Sequence, residues 1–157
     1  MKTLNILFVC KYNRFRSKIA EAYFKKINKN KKIKISSAGL FEGFPMSKKT
    51  IKIVRRFGIK MKGKPRAMSN KLINEQDLIV VIANDVPKWI FNKQYVKKMI
   101  KWRIKDTPDG NKKKIIKISE QIIRKINKLN KKLERKIRRW KPSIFYLYVS
   151  IIDSEAS

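Results

Sequence analysis

The sequence predicts an open α/β fold, a mainly four-stranded parallel sheet with helices on both faces. Three observations carry that expectation. LNILFV (4–9) and DLIVVIA (77–83) are continuous apolar runs, as suits strands covered on both sides. Segments with helical apolar spacing alternate with the strand-like ones. The stretches between them are polar and carry Gly and Pro.

In chain order, LNILFV is the first strand. From Ser17 onward, Ala20, Tyr23, Phe24 and Ile27 recur at helical spacing. KIKISSAG (32–39) alternates briefly and stops at Gly39, which marks a second strand. Pro45 and Ser47 open a helix carrying Ile51, Val54 and Phe57, closed by Gly58. Residues 58–70 read as loop, and DLIVVIA is the third strand. Pro87 precedes a short helix through Trp89 and Ile90, followed by a weaker strand near 98–102 and a turn-rich loop, KDTPDGN, at 105–111. Ile115, Ile118, Ile122, Ile126, Leu129, Leu133, Ile137 and Trp140 then describe one long amphipathic helix, ended by Pro142.

Residues 1–140 are expected to form one domain and 141–157 an apolar tail of unknown role. Within that tail, IFYLYVSII (144–152) is shorter than the about 20 residues a bilayer span needs. An edge strand, a surface-binding tail and a loose extension are equally compatible with it.

The composition narrows the chemistry. At 157 residues with 43% hydrophobic content the chain can bury a full core. Cys10 is the only cysteine and histidine is absent, so neither a disulfide framework nor a clustered-cysteine zinc site is available. No metal or other cofactor is expected, and catalysis must use Cys, Asp, Glu, Lys or Arg. The apolar segment after Lys2 is short, contains Asn5 and is followed by no small-residue cleavage site. The expected compartment is therefore the reducing cytoplasm, with no transmembrane segment. Lysine and arginine total 42 against 11 acidic residues, a net charge of +31. Such a field attracts phosphorylated molecules, acidic proteins, anionic surfaces and nucleic acid alike, and a Lys-rich compositional habit would give the same pattern.

Cys10 closes the first strand, and Arg16 and Ser17 follow as the next helix begins. In an open parallel sheet, ligands bind beyond the carboxyl ends of the strands. Backbone N–H groups of Lys11, Tyr12, Asn13, Arg14, Phe15 and Arg16, together with the helix start, can ring an oxyanion there. Arg16 offers a planar fork to two nonbridging oxygens, which lysine cannot match. These donors favour the thiolate of Cys10, and the Ser17 hydroxyl can donate to the sulfur.

VCKYNRFRSKIAEAYF resembles the opening loop and first helix of the low-molecular-weight protein tyrosine phosphatases and the related arsenate reductases. The resemblance makes Cys10 the nucleophile, Asn13 the residue that stabilises the loop, Arg16 the phosphate-binding arginine and Ser17 the sulfur-bonding serine. Ala20 and Glu21 match the family's helix pair, and SSAG (36–39) resembles the sequence that follows its second strand. The likeness extends over residues 4 to about 133. It implies a phosphomonoester hydrolase, most simply a protein tyrosine phosphatase, acting through a cysteinyl-phosphate on a phosphorylated protein or a small aryl or alkyl phosphate.

The resemblance also implies an aspartic general acid just before the last helix. WRIKDTPDGN supplies Asp106, with Asp109 as a rival, since Thr107 separates Asp106 from Pro108 where the family has Asp-Pro. Other departures touch specificity. Tyr12 stands where glycine is common, the usual aromatic pair after the acid is missing, and Phe15 replaces a second loop cysteine found in some members. Arg14 is a candidate contact for acidic substrate flanks, and Asp77 and Asp85 are candidate near-site residues. Two alternatives stay open: an arsenate reductase drawing on an external thiol, and a basic nucleic-acid or anionic-surface binder with an inactive pocket.

Overall fold

In the computed structural model the chain is described for residues 3–138. The proposed tail and the helix end at Pro142 lie outside the described residues. Four parallel strands, β1 (Leu4–Cys10), β2 (Ile33–Gly39), β3 (Leu78–Ile82) and β4 (Met99–Trp102), form a sheet of order β2-β1-β3-β4. The expected architecture is the observed one.

Alternation along β1 explains the two layers. Leu4, Ile6 and Phe8 face a core shared with α1 (Arg16–Ile27), α2 (Lys48–Arg55) and α4 (Lys112–Arg138). Leu7, Val9 and Cys10 face a smaller cluster containing Ile73, Val86 and Phe91. In α4, Ile115, Ile118, Ile122, Ile126, Leu129 and Leu133 are all buried, the stripe expected from their spacing. Its lysine-rich opposite side stays in water.

Two elements differ from expectation. α3 (Asn70–Asn74), capped by the Ser69 side chain accepting from Leu72 N at 3.2 Å, begins at the end of a stretch read as loop. Five residues are too few to show a helical period, so only the burial of Ile73 reveals the element's role. The helix expected after Pro87 is a single 3₁₀ turn, Lys88–Ile90, with Trp89 83% exposed. Without an apolar face to bury, nothing extends it.

The chain leaves β1 for β2 on one side and returns to β3 on the other. Connections from β1 and β3 therefore diverge, opening a crevice beyond their carboxyl ends. Cys10 is the last residue of β1 and sits at that crevice.

Candidate active site

Residues 11–15 carry the chain from β1 into α1 as an open loop. The carbonyls of Cys10, Lys11 and Tyr12 accept from the N–H groups of Leu40, Phe41 and Gly43 at 3.0, 2.9 and 3.1 Å. In a trans peptide the following N–H points away from the carbonyl, so the amides of Lys11, Tyr12 and Asn13 face away from the 40–43 segment. Asn13 has φ of 51°, a left-handed conformation that asparagine tolerates better than most residues. Gly39 lets the β2 end lie against this turn: a Cβ there would stand 2.4 Å from the Phe41 carbonyl oxygen and 2.7 Å from Asn13 N. Phe15 is buried in the larger core and anchors the loop from below.

A hydrogen-bonded chain runs through the buried polar groups. Asn13 Oδ1 accepts from Arg66 N at 3.0 Å, which orients the amide. Asn13 Nδ2 then donates to Ser17 Oγ and Ser37 Oγ, each at 2.9 Å. Ser37 in turn donates to Glu21, a carboxylate that can only accept when ionised. Because Ser17 Oγ accepts from Asn13, its own hydrogen is free for Cys10 Sγ, 3.0 Å away. Cys10 is buried, yet it has a polar partner. The larger core lies on the opposite face of β1.

Arg16 starts α1 and is 1% exposed. Its Nη1 donates to the Ile104 carbonyl at 2.9 Å and lies 2.9 Å from Asp85 Oδ1. Its Nη2 donates to Asp106 Oδ2 at 3.1 Å. One guanidinium thus gathers the loops after β1, β3 and β4. The Ile104 carbonyl also accepts from Asn84 N at 3.2 Å, and Lys101 Nζ holds the Val86 carbonyl at 2.7 Å. Burial lowers the pKa of Lys101, with Arg103 and Lys88 adding and Asp85 opposing.

Asp106 and Asp109 have different surroundings. Asp109 Oδ2 accepts from Ser47 N at 2.9 Å and from Arg14 Nη2 at 3.2 Å; its Oδ1 accepts from Ser47 Oγ at 2.7 Å and from Thr50 Oγ1. Burial favours its neutral form, but the hydrogen bonds from Thr50 and Ser47 and the charge of Arg14 outweigh it and hold the carboxyl below the usual aspartate value. Asp109 therefore ties the late loop to the start of α2. Asp106 meets the Arg16 fork and remains 42% exposed along its side chain.

Other sequence-selected residues lie apart or at the rim. Asp77 accepts from Asn5 N at 2.9 Å and pairs with Lys97 at 3.1 Å, at the opposite end of the sheet from Cys10. Tyr12 is exposed, its ring 6.1 Å from that of Phe41, with Lys11 Nζ 5.2 Å from the Tyr12 ring centre. Arg14 Nε also donates to Met46 Sδ at 2.9 Å. Sequence reasoning did not single out Ser37, Arg66, Thr50 or the Ile104 carbonyl. SSAG was the one available signal, for Ser37; the others act through main-chain groups or partners distant in sequence.

A sequence model described as low molecular weight phosphotyrosine protein phosphatase matches residues 5–139. The chain belongs to that family, whose cysteine-based phosphatase and reductase members share this open sheet and the phosphate-binding loop after β1. Among solved structures, an arsenate reductase from Archaeoglobus fulgidus is similar at 25% identity and TM-score 0.68, covering 80% of this chain and 98% of its own. A low molecular weight protein tyrosine phosphatase from T. tengcongensis aligns at 23% identity and TM-score 0.73, covering 83% and 99%. The YwlE arginine phosphatase from Geobacillus stearothermophilus aligns at 19% and 0.76, covering 88% and 97%. No curated protein sequence matches significantly.

Proposed function

We propose that the protein is a phosphomonoester hydrolase of the tyrosine phosphatase type, acting through a cysteinyl-phosphate intermediate. The observation that carries this reading is the Cys10 sulfur at the end of β1, 3.0 Å from Ser17 Oγ, with the buried fork of Arg16, the neighbour of Ser17 in the chain, 3.1 Å from Asp106. The Cys10 thiolate attacks phosphorus as the ester P–O bond breaks, and Asp106 gives its proton to the departing oxygen. Water then attacks the phosphocysteine, passes a proton to the Asp106 carboxylate and releases phosphate and thiolate. Loop amides and Arg16 stabilise the equatorial oxygens throughout. Ser17 donates to the sulfur as it becomes the leaving group. The exposed Tyr12 ring within the loop offers a face to an aryl ester, which supports phosphotyrosine over simple alkyl phosphates. A reducing cytoplasm suits a lone nucleophilic thiol.

The direct test is hydrolysis of an aryl phosphate in EDTA. Cys10→Ser should abolish turnover. Asp106→Asn should lower kcat by about 10²–10⁴-fold, least for good leaving groups. An unchanged rate in Cys10→Ser refutes the mechanism. The similarity to the Archaeoglobus fulgidus arsenate reductase supports a second reading, reduction of arsenate with an external thiol, because Cys10 has no second cysteine in the chain. Arsenite formation with glutathione or a thioredoxin system, in the absence of ester hydrolysis, would favour it. Phosphoarginine in the same assay tests the specificity named for the Geobacillus stearothermophilus protein.

A further inference from the structure

A concavity lined by lysines lies between α1 and residues 58–62, with a volume of about 430 Å³. Lys18, Lys25 and Lys26 line it from α1, Lys60 and Lys62 from the facing segment, and Glu21 is the one carboxylate among the described residues that line it. Spacings of three, four and seven residues put Lys18, Glu21 and Lys25 on one helix face.

The charges are poorly matched. Lys18 is 8% exposed, and its Nζ donates to the Lys62 carbonyl at 3.1 Å while Glu21 Oε2 stands 4.0 Å away. Glu21 is shared between Lys25 Nζ, at 2.6 Å within the same wall, and the Ser37 hydroxyl, so it balances only part of the charge. Lys26 Nζ donates to the Phe57 carbonyl at 3.3 Å. Gly58, with φ of 68°, leaves room for that ammonium, since a Cβ there would lie 2.3 Å from Lys26 Nζ. Burial lowers the pKa of Lys18, with Glu21 opposing and Arg66 and Lys25 adding, so its ammonium gains from any further negative charge.

We propose that this cavity is a second anion site that takes a diphosphate group. Lys18, Lys25 and Lys26 meet it from one wall, and Lys60 and Lys62 from the other. With Lys25 paired to Glu21, the ammonium groups of Lys18, Lys26, Lys60 and Lys62 leave this concave wall in positive excess, which concentrates field lines on the cavity. The volume lies toward the low end of the about 300–1,000 Å³ of small-molecule sites, more than a lone phosphate fills. Glu21 belongs both to this wall and to the hydrogen-bonded chain that ends at Cys10.

Amide-resolved NMR titration of the full chain with inorganic pyrophosphate tests the site independently of catalysis. Saturable shifts are expected at residues 18–26 and 58–62. Lys60→Ala with Lys62→Ala should weaken binding about tenfold or more. The charge-matched pair Lys71→Ala with Lys93→Ala, also exposed, should leave it unchanged. ADP in a parallel titration separates sources: equal affinity assigns recognition to the diphosphate alone, and tighter binding adds a nucleoside contact. Shifts confined to residues 10–17, no saturable shift, or equal weakening by both lysine pairs would overturn the proposal.

Discussion

Replacing Asn13 by alanine removes a single side chain on which the shape of the Cys10 loop depends. The fully buried amide makes three hydrogen bonds, to Ser17 Oγ, Ser37 Oγ and Arg66 N, at 2.9, 2.9 and 3.0 Å. At a net of about 1 kcal/mol each, with somewhat more where a buried group loses its partner, these contribute about 3 kcal/mol. Alanine at φ of 51° adds about 1 kcal/mol of backbone strain. Asn13→Ala should therefore lose about 3–4 kcal/mol, read as a fall of roughly 1–2 M in the urea midpoint. Asn13→Gly should relieve the backbone part and keep the loss from the missing bonds. Both variants should lower kcat/KM for an aryl phosphate by about tenfold or more at a temperature where they are folded, because the Ser17 hydroxyl and loop amides lose their alignment. A glycine variant with wild-type stability and rate would refute the reasoning, since it would mean the amide orients nothing.

Asp109→Asn should leave aryl phosphate turnover within a few-fold of wild type while costing about 1–2 kcal/mol of stability, because it weakens the contacts that hold the start of α2; a catalytic collapse matching that of Asp106→Asn would move the acid to Asp109. The same aspartate gives a pH signature. Its folded pKa lies below the unfolded value, so its stabilisation is complete above about pH 4 and is lost as pH falls through the lower folded value. Urea melts across that window should show a smaller acid-side loss in Asp109→Asn than in wild type. Gly39→Ala should destabilise by about 2–3 kcal/mol or prevent folding, since its new methyl group would meet main-chain atoms that cannot rotate away; an alanine variant of normal stability would contradict the close approach of β2 to the loop. Glu21→Gln should lower kcat/KM for an aryl phosphate by weakening the acceptor that orders Ser37, Asn13 and Ser17; kinetics superimposable on wild type would show that the chain does not reach the sulfur.

Much was legible in the sequence because the relevant interactions are local. Sulfur, loop, guanidinium and hydroxyl fall within eight consecutive residues, 10–17, between an apolar run and a helical pattern. The four strands and the long final helix follow from burial periods that need no knowledge of neighbours. The five-residue α3 and the single 3₁₀ turn after Pro87 were less legible, because their extent depends on what the surrounding chain leaves to be covered.

The sequence by itself determined the layered sheet, the placement of Cys10 at the end of its first strand and the absence of any second thiol. Only the tertiary structure decided that Asp85 and Asp106 meet Arg16 while Asp109 meets Ser47 and Thr50, that Asp77 lies at the far end of the sheet, and that Glu21 stands between the hydrogen-bonded chain to Cys10 and a cavity of lysines. The physical reason is distance along the chain. Ion pairs and hydrogen bonds depend on ångström separations, and partners 59 to 90 residues apart leave no trace in local composition or periodicity.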